Sequence, residues 1–381
     1  MKAVAVFPAG RAIRLVDHPE PSIAAPTDVK LRILEVGVCG TDKEIAAFEY
    51  GVPPDGSDYL VIGHEALAEV VEVGRAVSRV RVGDLVVPRV RYPCRVPDCM
   101  ACRAEAQDFC YTGEYVERGI KGAHGFMTEH VVADERLLVR VPRSLRKLGV
   151  LVEPLTIAEK ALIQLWDIQR RLPWVCRREG AVHEHRHARA SEAPKGNCHT
   201  ALVLGAGPVG LLGAMALINQ GFHTYIYSRT PPGAMNATVA KAIGAELIPA
   251  EAVDVATMAA QVGPIDVVYE AVGASQLAFD VIRHIGTNAV FIFTGVPGRK
   301  APIEVDTDLI MRNLVLRNQV LFGTVNAGAQ AFAAAVRDLG RFAKRWPEAL
   351  GAMISGRFDP VECAPLLQGR AGGIKNVISF A

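Results

Sequence analysis

The chain lacks a dominant charge: across its 381 residues, 42 Lys and Arg stand against 40 Asp and Glu. A surface with no field of one sign does not attract nucleic acid or an anionic membrane, so the expected partner is a small molecule. The chain also lacks an apolar run long enough to cross a bilayer. Val203–Ile218 comes closest, and Gly205, Gly207, Gly210 and Gly213 interrupt it, so no membrane association is expected. Met1 to Val6 carry neither a basic leader nor a small-residue cleavage site, so a secretory signal is not expected. These absences predict a cytoplasmic, reducing location. No internal repeat is visible. What remains is 50% apolar and 22% charged, and it is long enough for two domains.

Cysteine is present and crowded. Of eight cysteines, four are Cys94, Cys99, Cys102 and Cys110, in a stretch with Pro93, Pro97 and Asp98. Thiolates at such spacing on a short irregular loop can close a tetrahedral zinc site that leaves no position for substrate, so this metal would be structural. Buried or disulfide-bonded cysteines are the alternative, and a reducing compartment disfavours disulfides.

Two textures divide the chain. Val4–Phe7, Val29–Val36, Ala68–Val73, Asp84–Val87 and Glu129–Val132 are β-branched runs bounded by Gly, Pro or Asp, which predicts an irregular β domain. After residue 200, short apolar runs (Ala201–Leu204, Thr224–Tyr227, Val267–Glu270, Ala289–Phe293) alternate with helix-length segments such as Val209–Gln220 and Ala234–Ile243. That alternation predicts a doubly wound parallel sheet. Leu172 to Thr200, with His183, His185 and His187 at alternate positions, has no sustained periodicity and reads as an exposed connection or insertion. Metal binding by those imidazoles is the less favoured reading, and no site is assigned there.

Gly205-Ala206-Gly207-Pro208-Val209-Gly210 fits G-x-G-x-x-G between an apolar strand and an apolar helix. In that context the glycines allow a tight turn, backbone approach to a pyrophosphate and close helix packing, with the helix N-terminus facing the phosphates. The second strand ends at Tyr227-Ser228-Arg229-Thr230, where an NAD site would usually place an acid. The hydroxyl of Ser228 and the guanidinium of Arg229 suit a 2′-phosphate, which favours NADP and leaves NAD open.

A second set of metal donors lies in the β region. Cys39, His64 and a carboxylate from Glu65 or Glu153 would supply three ligands of mixed type and leave one position open for water or substrate oxygen. The fold has to bring these segments together, because spacing alone does not.

Cys39-Gly40-Thr41-Asp42, Gly63-His64-Glu65, the cysteine quartet, Val152-Glu153-Pro154 and the glycine loop together resemble the zinc-dependent medium-chain dehydrogenase/reductase superfamily over nearly the whole chain. Thr112 to Ile120, Asp134-Glu135-Arg136 before Leu137-Leu138-Val139, and Leu316-Arg317-Asn318 leading to Gly323-Thr324-Val325-Asn326-Ala327 resemble its glucose 1-dehydrogenase branch. The resemblance implies a GroES-like catalytic domain (1–165 and 322–381, with a structural-zinc lobe at 93–111), a Rossmann domain (166–321), an active site in the cleft between them, and a homotetramer or homodimer. It makes Cys39 and His64 catalytic-zinc ligands, and Glu65 and Glu153 exchangeable carboxylates at that metal. Thr41 becomes a proton relay. Glu117, Glu153 and Asn326 become sugar-hydroxyl partners. In two respects the chain departs from the pattern: Cys94 and Cys99 are separated by four residues where the superfamily has two, a difference the loop is expected to absorb, and the long run Cys176 to His199 is the second.

The implied reaction is oxidation of an aldose at C1 to its lactone with hydride transfer to NADP. Zinc would lower the pKa of the C1 hydroxyl. Glu117 or Glu153 would accept sugar hydroxyl protons and fix the ring. Glu153, where simple alcohol dehydrogenases place a cysteine, points to a sugar or polyol. A polyol, threonine or simple alcohol dehydrogenase is the nearest alternative, and a non-catalytic NADP-binding protein is the alternative of another class.

Overall fold

A computed structural model of the chain describes residues 1–171, 199–298, 302–369 and 372–380. The segment carrying His183, His185 and His187 lies outside the described residues. Two compact units result, one of residues 1–156 with 326–381 and the other of residues 157–325.

The first unit is an irregular β structure. Its largest sheet has seven strands, in the order Leu138–Val141, Leu85–Pro88, Glu65–Val73, Asp28–Gly37, Lys375–Ser379 and Ile354–Phe358, with His130–Asp134 also paired to Asp28–Gly37. The strand Asp28–Gly37 is therefore central, and all of its last five residues are buried. Register shifts near Lys30/Leu31 and Ile33/Glu35 break the simple in–out alternation of its pairing with Glu65–Val73. Beyond the second shift the strand runs on to pair Gly37 with Glu65. Its other neighbour, Lys375–Ser379, comes from the far end of the chain. Cys363, Leu366, Leu367 and Ile378 join Val4, Leu31, Ile33 and Val86 in one apolar core, and burial of this kind holds the C-terminal segment to the N-terminal one. A small three-stranded sheet (Arg91–Tyr92, Val116–Arg118, Gly122–Ala123) completes the parts that matter for the site.

In the second unit six parallel strands stand in the order Glu246–Pro249, His223–Ser228, Thr200–Leu204, Val267–Glu270, Val290–Phe293, Val320–Gly323. The first strand in sequence, Thr200–Leu204, lies third, so the winding reverses beside it. That is the switch point at which open α/β sheets take their ligands. Its residues 201 to 204 are fully buried, as expected for a strand covered on both faces. The helix Pro208–Asn219 follows directly, with Gly207 as N-cap and Pro at its first turn.

Candidate active site

Cys39, His64 and Glu65 meet although 26 residues of chain separate the first from the last: one ligand atom from each lies within 4.8 Å of the others. Cys39 caps the N-terminus of the helix Gly40–Ala46, and its backbone N–H donates to Asp42 Oδ2 at 2.8 Å. Asp42 is fully buried, and its other oxygen accepts the Gly63 N–H at 3.2 Å and stands 3.5 Å from His64 Nδ1. One carboxylate therefore pins both loops that carry the donors. Burial would push His64 toward its neutral form, but the charge of Asp42, helped by the Cys39 sulfur, holds it well above the usual imidazole range.

Glu65 is held from the opposite side. Lys375 Nζ donates to both carboxylate oxygens, at 2.8 and 2.6 Å, and to Val38 O at 3.2 Å. Gly37 lies between them in the sheet, and a Cβ there would stand 2.2 Å from Glu65 Oε2, so any larger residue would displace this carboxylate. Burial works against the Lys375 charge, and Glu65 outweighs it, so the ammonium is retained. Glu153 does not join the three-donor set among the described residues. It is buried at the start of the helix Val152–Gln169, and burial, reinforced by Glu65 and opposed by His64 and Lys375, pushes its carboxyl up to about 7. Thr41 is half-buried in the first turn of the helix that follows Cys39.

The donors fit zinc. A thiol, an imidazole and a carboxylate, two of them nearly inaccessible to water, form the mixed triad such a site uses, and three ligands leave the ion one position open. Cys94, Cys99, Cys102 and Cys110 form the other set, with ligand atoms again within 4.8 Å of one another. Despite its longer spacing, Cys94 takes its place: its backbone N–H reaches Cys102 Sγ at 3.3 Å. Burial pushes the Cys102 thiol up to about 12. Burial opposes the shift of Cys110, but the hydroxyl of Thr112, 3.2 Å away, and its amide bring that thiol down to about 6.

Glu117 lies on the strand Val116–Arg118, two residues before Gly119, where a Cβ would stand 2.4 Å from Gly63 O. That close approach links the Glu117 strand to the loop bearing His64. Glu117 Oε1 accepts from Arg91 Nε and from Asn326 Nδ2, each at 3.0 Å, and Arg91 Nη2 forms an ion pair with it at 3.0 Å. Asn326, 209 residues away in sequence, sits at φ 57° with its own Oδ1 on the Ala327 N–H. The structure thus brings Glu117 and Asn326 together.

In the second unit, a Cβ at Gly210 would stand 2.2 Å from Gly205 O, so the helix packs on the turn as a dinucleotide loop requires. Gly207 has open space above it, and Asn236 Nδ2 braces the Ala206 carbonyl. Ser228 Oγ lies 2.9 Å from Thr230 Oγ1, and Arg229 is exposed. These residues fit a phosphorylated dinucleotide. Glu270, at the end of its strand, accepts the N–H groups of Val272 and Gly273 at 2.7 Å and of Gly295 at 3.2 Å, which ties two loops at the strands' carboxyl ends.

Four supporting residues were not legible as such from sequence. Asp42 was visible inside its motif, but only as a neighbour of Cys39. Arg91 and Glu270 carry no distinctive spacing, and Lys375 meets Glu65 across 310 residues.

This fold and these two cysteine-bearing sites define a zinc-dependent medium-chain dehydrogenase. Comparison with known proteins narrows the class. Residues 178–380 match the family described as glucose dehydrogenase C-terminus, and residues 25–143 match the alcohol dehydrogenase GroES-like domain. Glucose 1-dehydrogenase of Methanocella arvoryzae is 38% identical over 94% of this chain and 93% of its own length. Glucose 1-dehydrogenase 2 of Vulcanisaeta moutnovskia is 37% identical over 92% and 91%. Among solved structures, the Haloferax mediterranei glucose dehydrogenase in complex with NADP, Zn and gluconolactone superposes with a TM-score of 0.86 at 30% identity, covering 100% of this chain and 99% of that one. The chain belongs to the glucose dehydrogenase family.

Proposed function

We propose that the chain oxidises the C1 hydroxyl of an aldose, glucose or a similar sugar, to its lactone and passes the hydride to NADP, with NAD as the alternative acceptor. The observation that carries this reading is the assembly, within one unit, of the Cys39–His64–Glu65 donor set and the Glu117–Asn326 pair. The relatives named glucose 1-dehydrogenase, and the solved enzyme with NADP, Zn and gluconolactone, support it.

In this reading residues 1–165 and 322–381 are the catalytic domain and 166–321 the dinucleotide domain. Cys39 and His64 hold the catalytic zinc, with Glu65 or Glu153 as the third ligand, and Cys94, Cys99, Cys102 and Cys110 hold the structural one. When bound, the catalytic ion supplies Lewis acidity toward the substrate oxygen, and the dinucleotide supplies the hydride acceptor. The protein's own residues supply the rest. Glu117 accepts a hydrogen bond from a sugar hydroxyl, and Asn326 and Glu153 contribute further hydroxyl contacts, so that C1 is presented in one orientation. Thr41 passes the proton of the C1 hydroxyl outward. Residues 205 to 210 cradle the pyrophosphate, and Ser228 and Arg229 meet the 2′-phosphate.

The described residues contain no helix long and apolar enough to cross a membrane. Cytoplasmic location and assembly into a homodimer or homotetramer belong to the same proposal. The crowded cysteines support a reducing location, and the family resemblance supports the assembly. Metal analysis combined with a panel of glucose, galactose, xylose, sorbitol, threonine and ethanol, run with both cofactors, tests the reading. We expect about two zinc ions per chain and lactone formation fastest with an aldose and NADP. Activity confined to a non-sugar alcohol, or full turnover in metal-free protein, would overturn it.

A further inference from the structure

We infer that Arg91 is the positioning residue that turns Glu117 into a fixed acceptor for one particular sugar hydroxyl, and so sets discrimination between the sugar and its deoxy analogue. The inference rests on the reading of Glu117 as a sugar contact and adds a residue to it.

The argument begins with backbone pairing. Arg91 and Glu117 are direct partners across the antiparallel strands Arg91–Tyr92 and Val116–Arg118, so both side chains leave the same face of the small sheet. Both are more than nine-tenths buried. Arg91 is fixed at three points besides the carboxylate, two on its guanidinium and one on its backbone. Its Nη1 donates to Asp108 O at 3.2 Å, its plane lies 3.8 Å over the Tyr115 ring, and the Arg91 carbonyl accepts from Gln107 Nε2 at 3.2 Å. Lys121 Nζ lies 4.4 Å from the centre of the same ring, so Tyr115 meets two cations.

Every hydrogen bond seen at the Glu117 carboxylate among the described residues converges on Oε1, one from Arg91 Nε and one from Asn326 Nδ2, and Arg91 Nη2 adds an ion-pair contact to the same oxygen at 3.0 Å. A carboxylate offers about four lone-pair sites on its two oxygens. With Oε1 engaged by these contacts, Oε2 is the oxygen left for a ligand. An arginine keeps its charge throughout the working pH range, and its planar fork fixes direction as well as distance. Glu117 is thereby held as an acceptor at a set place. A site built this way penalises an analogue without the matching hydroxyl, because the bound analogue shuts water from an oxygen that is then left unpaired.

The test compares kcat/KM for glucose with that for each of its 2-, 3-, 4- and 6-deoxy analogues, in the parental holoenzyme and in Arg91→Lys, Arg91→Met, Tyr115→Leu and Glu117→Gln. The parental enzyme should reject one analogue by about 100-fold, the size expected where a buried polar partner is left unmatched. In Glu117→Gln and Arg91→Met that same ratio should collapse to roughly 10-fold or less, mainly through KM for glucose. Arg91→Lys keeps the charge without the fork and should fall between. Tyr115→Leu removes the ring beneath the guanidinium and leaves its hydrogen bonds, so it should weaken the ratio by about threefold. It carries the test if Arg91→Met fails to fold, with thermal midpoint and zinc content as controls. If Glu117→Gln collapses one ratio and the Arg91 and Tyr115 variants leave every ratio at the parental value, the Arg91 inference fails alone. If Glu117→Gln changes no ratio, the reading of Glu117 fails and takes the inference with it.

Discussion

The two metal-donor sets of this chain are built on opposite plans. The quartet draws all its donors from residues 94 to 110, and its supporting contacts, the Cys94 N–H on Cys102 and the Thr112 hydroxyl on Cys110, come from the same loop. The mixed set takes Cys39 from the N-terminus of a helix and His64 and Glu65 from the start of a strand, and its braces are Asp42 and the distant Lys375. A closed site that only has to staple a lobe can be local. An open site has to hold donors of three chemical types while leaving a corner free, so its rigidity comes from the core of the unit.

The sharpest way to break the comparison is to remove one donor from each set. Cys39→Ala should lower kcat/KM for the preferred sugar by about 10³ or more, since several kcal/mol of transition-state charge stabilisation is lost, while the thermal midpoint changes little. Cys102→Ser should do the reverse: the midpoint should fall sharply with loss of one zinc, because structural zinc sites contribute on the order of 10 kcal/mol to the folding of the segment they close. Steady-state kinetics, calorimetry and metal content on both variants check this. A Cys39→Ala protein turning over at the parental rate would remove the working role of the mixed set.

How much of this was readable in the chain follows from the same contrast. The quartet, the glycine loop and the strand–helix alternation are local patterns, and the structure shows four sulfurs together and six parallel strands where such patterns predict them. The expected β runs also fall on strands, from Lys2–Phe7 to His130–Asp134. For the mixed set the donors could be named from their motifs, but not their braces. Lys375 reaches Glu65 only because the last strand returns to lie beside Asp28–Gly37, and Asn326 reaches Glu117 only through the fold. No local periodicity encodes either meeting. Nor did the motifs show which carboxylate the fold groups with Cys39 and His64: Glu65 lies in that cluster, and Glu153, buried and close enough to feel His64 and Glu65, lies outside it.

A second break targets the distant brace. Lys375→Met leaves the Glu65 carboxylate buried without its cation, a change that costs about 3–5 kcal/mol in comparable buried pairs. The thermal midpoint should fall by roughly 10 °C, and the double variant Lys375→Met/Glu65→Gln should regain part of it, since the orphaned charge is then gone. The hydrogen bonds at the quartet's sulfurs among the described residues are local, so a zinc held there should stay bound throughout. Equal midpoints for the parental and single-variant proteins would show that Glu65 is not anchored from the C-terminal strand.

The smallest change is the most selective one. Asp42→Asn keeps size and burial but removes the charge that faces His64 and replaces one acceptor oxygen by an N–H₂ group, which cannot accept from both Cys39 N–H and Gly63 N–H. Partners that orient a ligating histidine are typically worth about 10- to 100-fold in metal affinity, so the mixed site should lose zinc to a competing chelator that much more readily. Retention of the second zinc under the same competition would confine the effect to the site that Asp42 braces. An unchanged affinity would mean that helix capping and strand pairing alone hold Cys39 and His64 in place, and the two sites would then differ in donor chemistry but not in how they are supported.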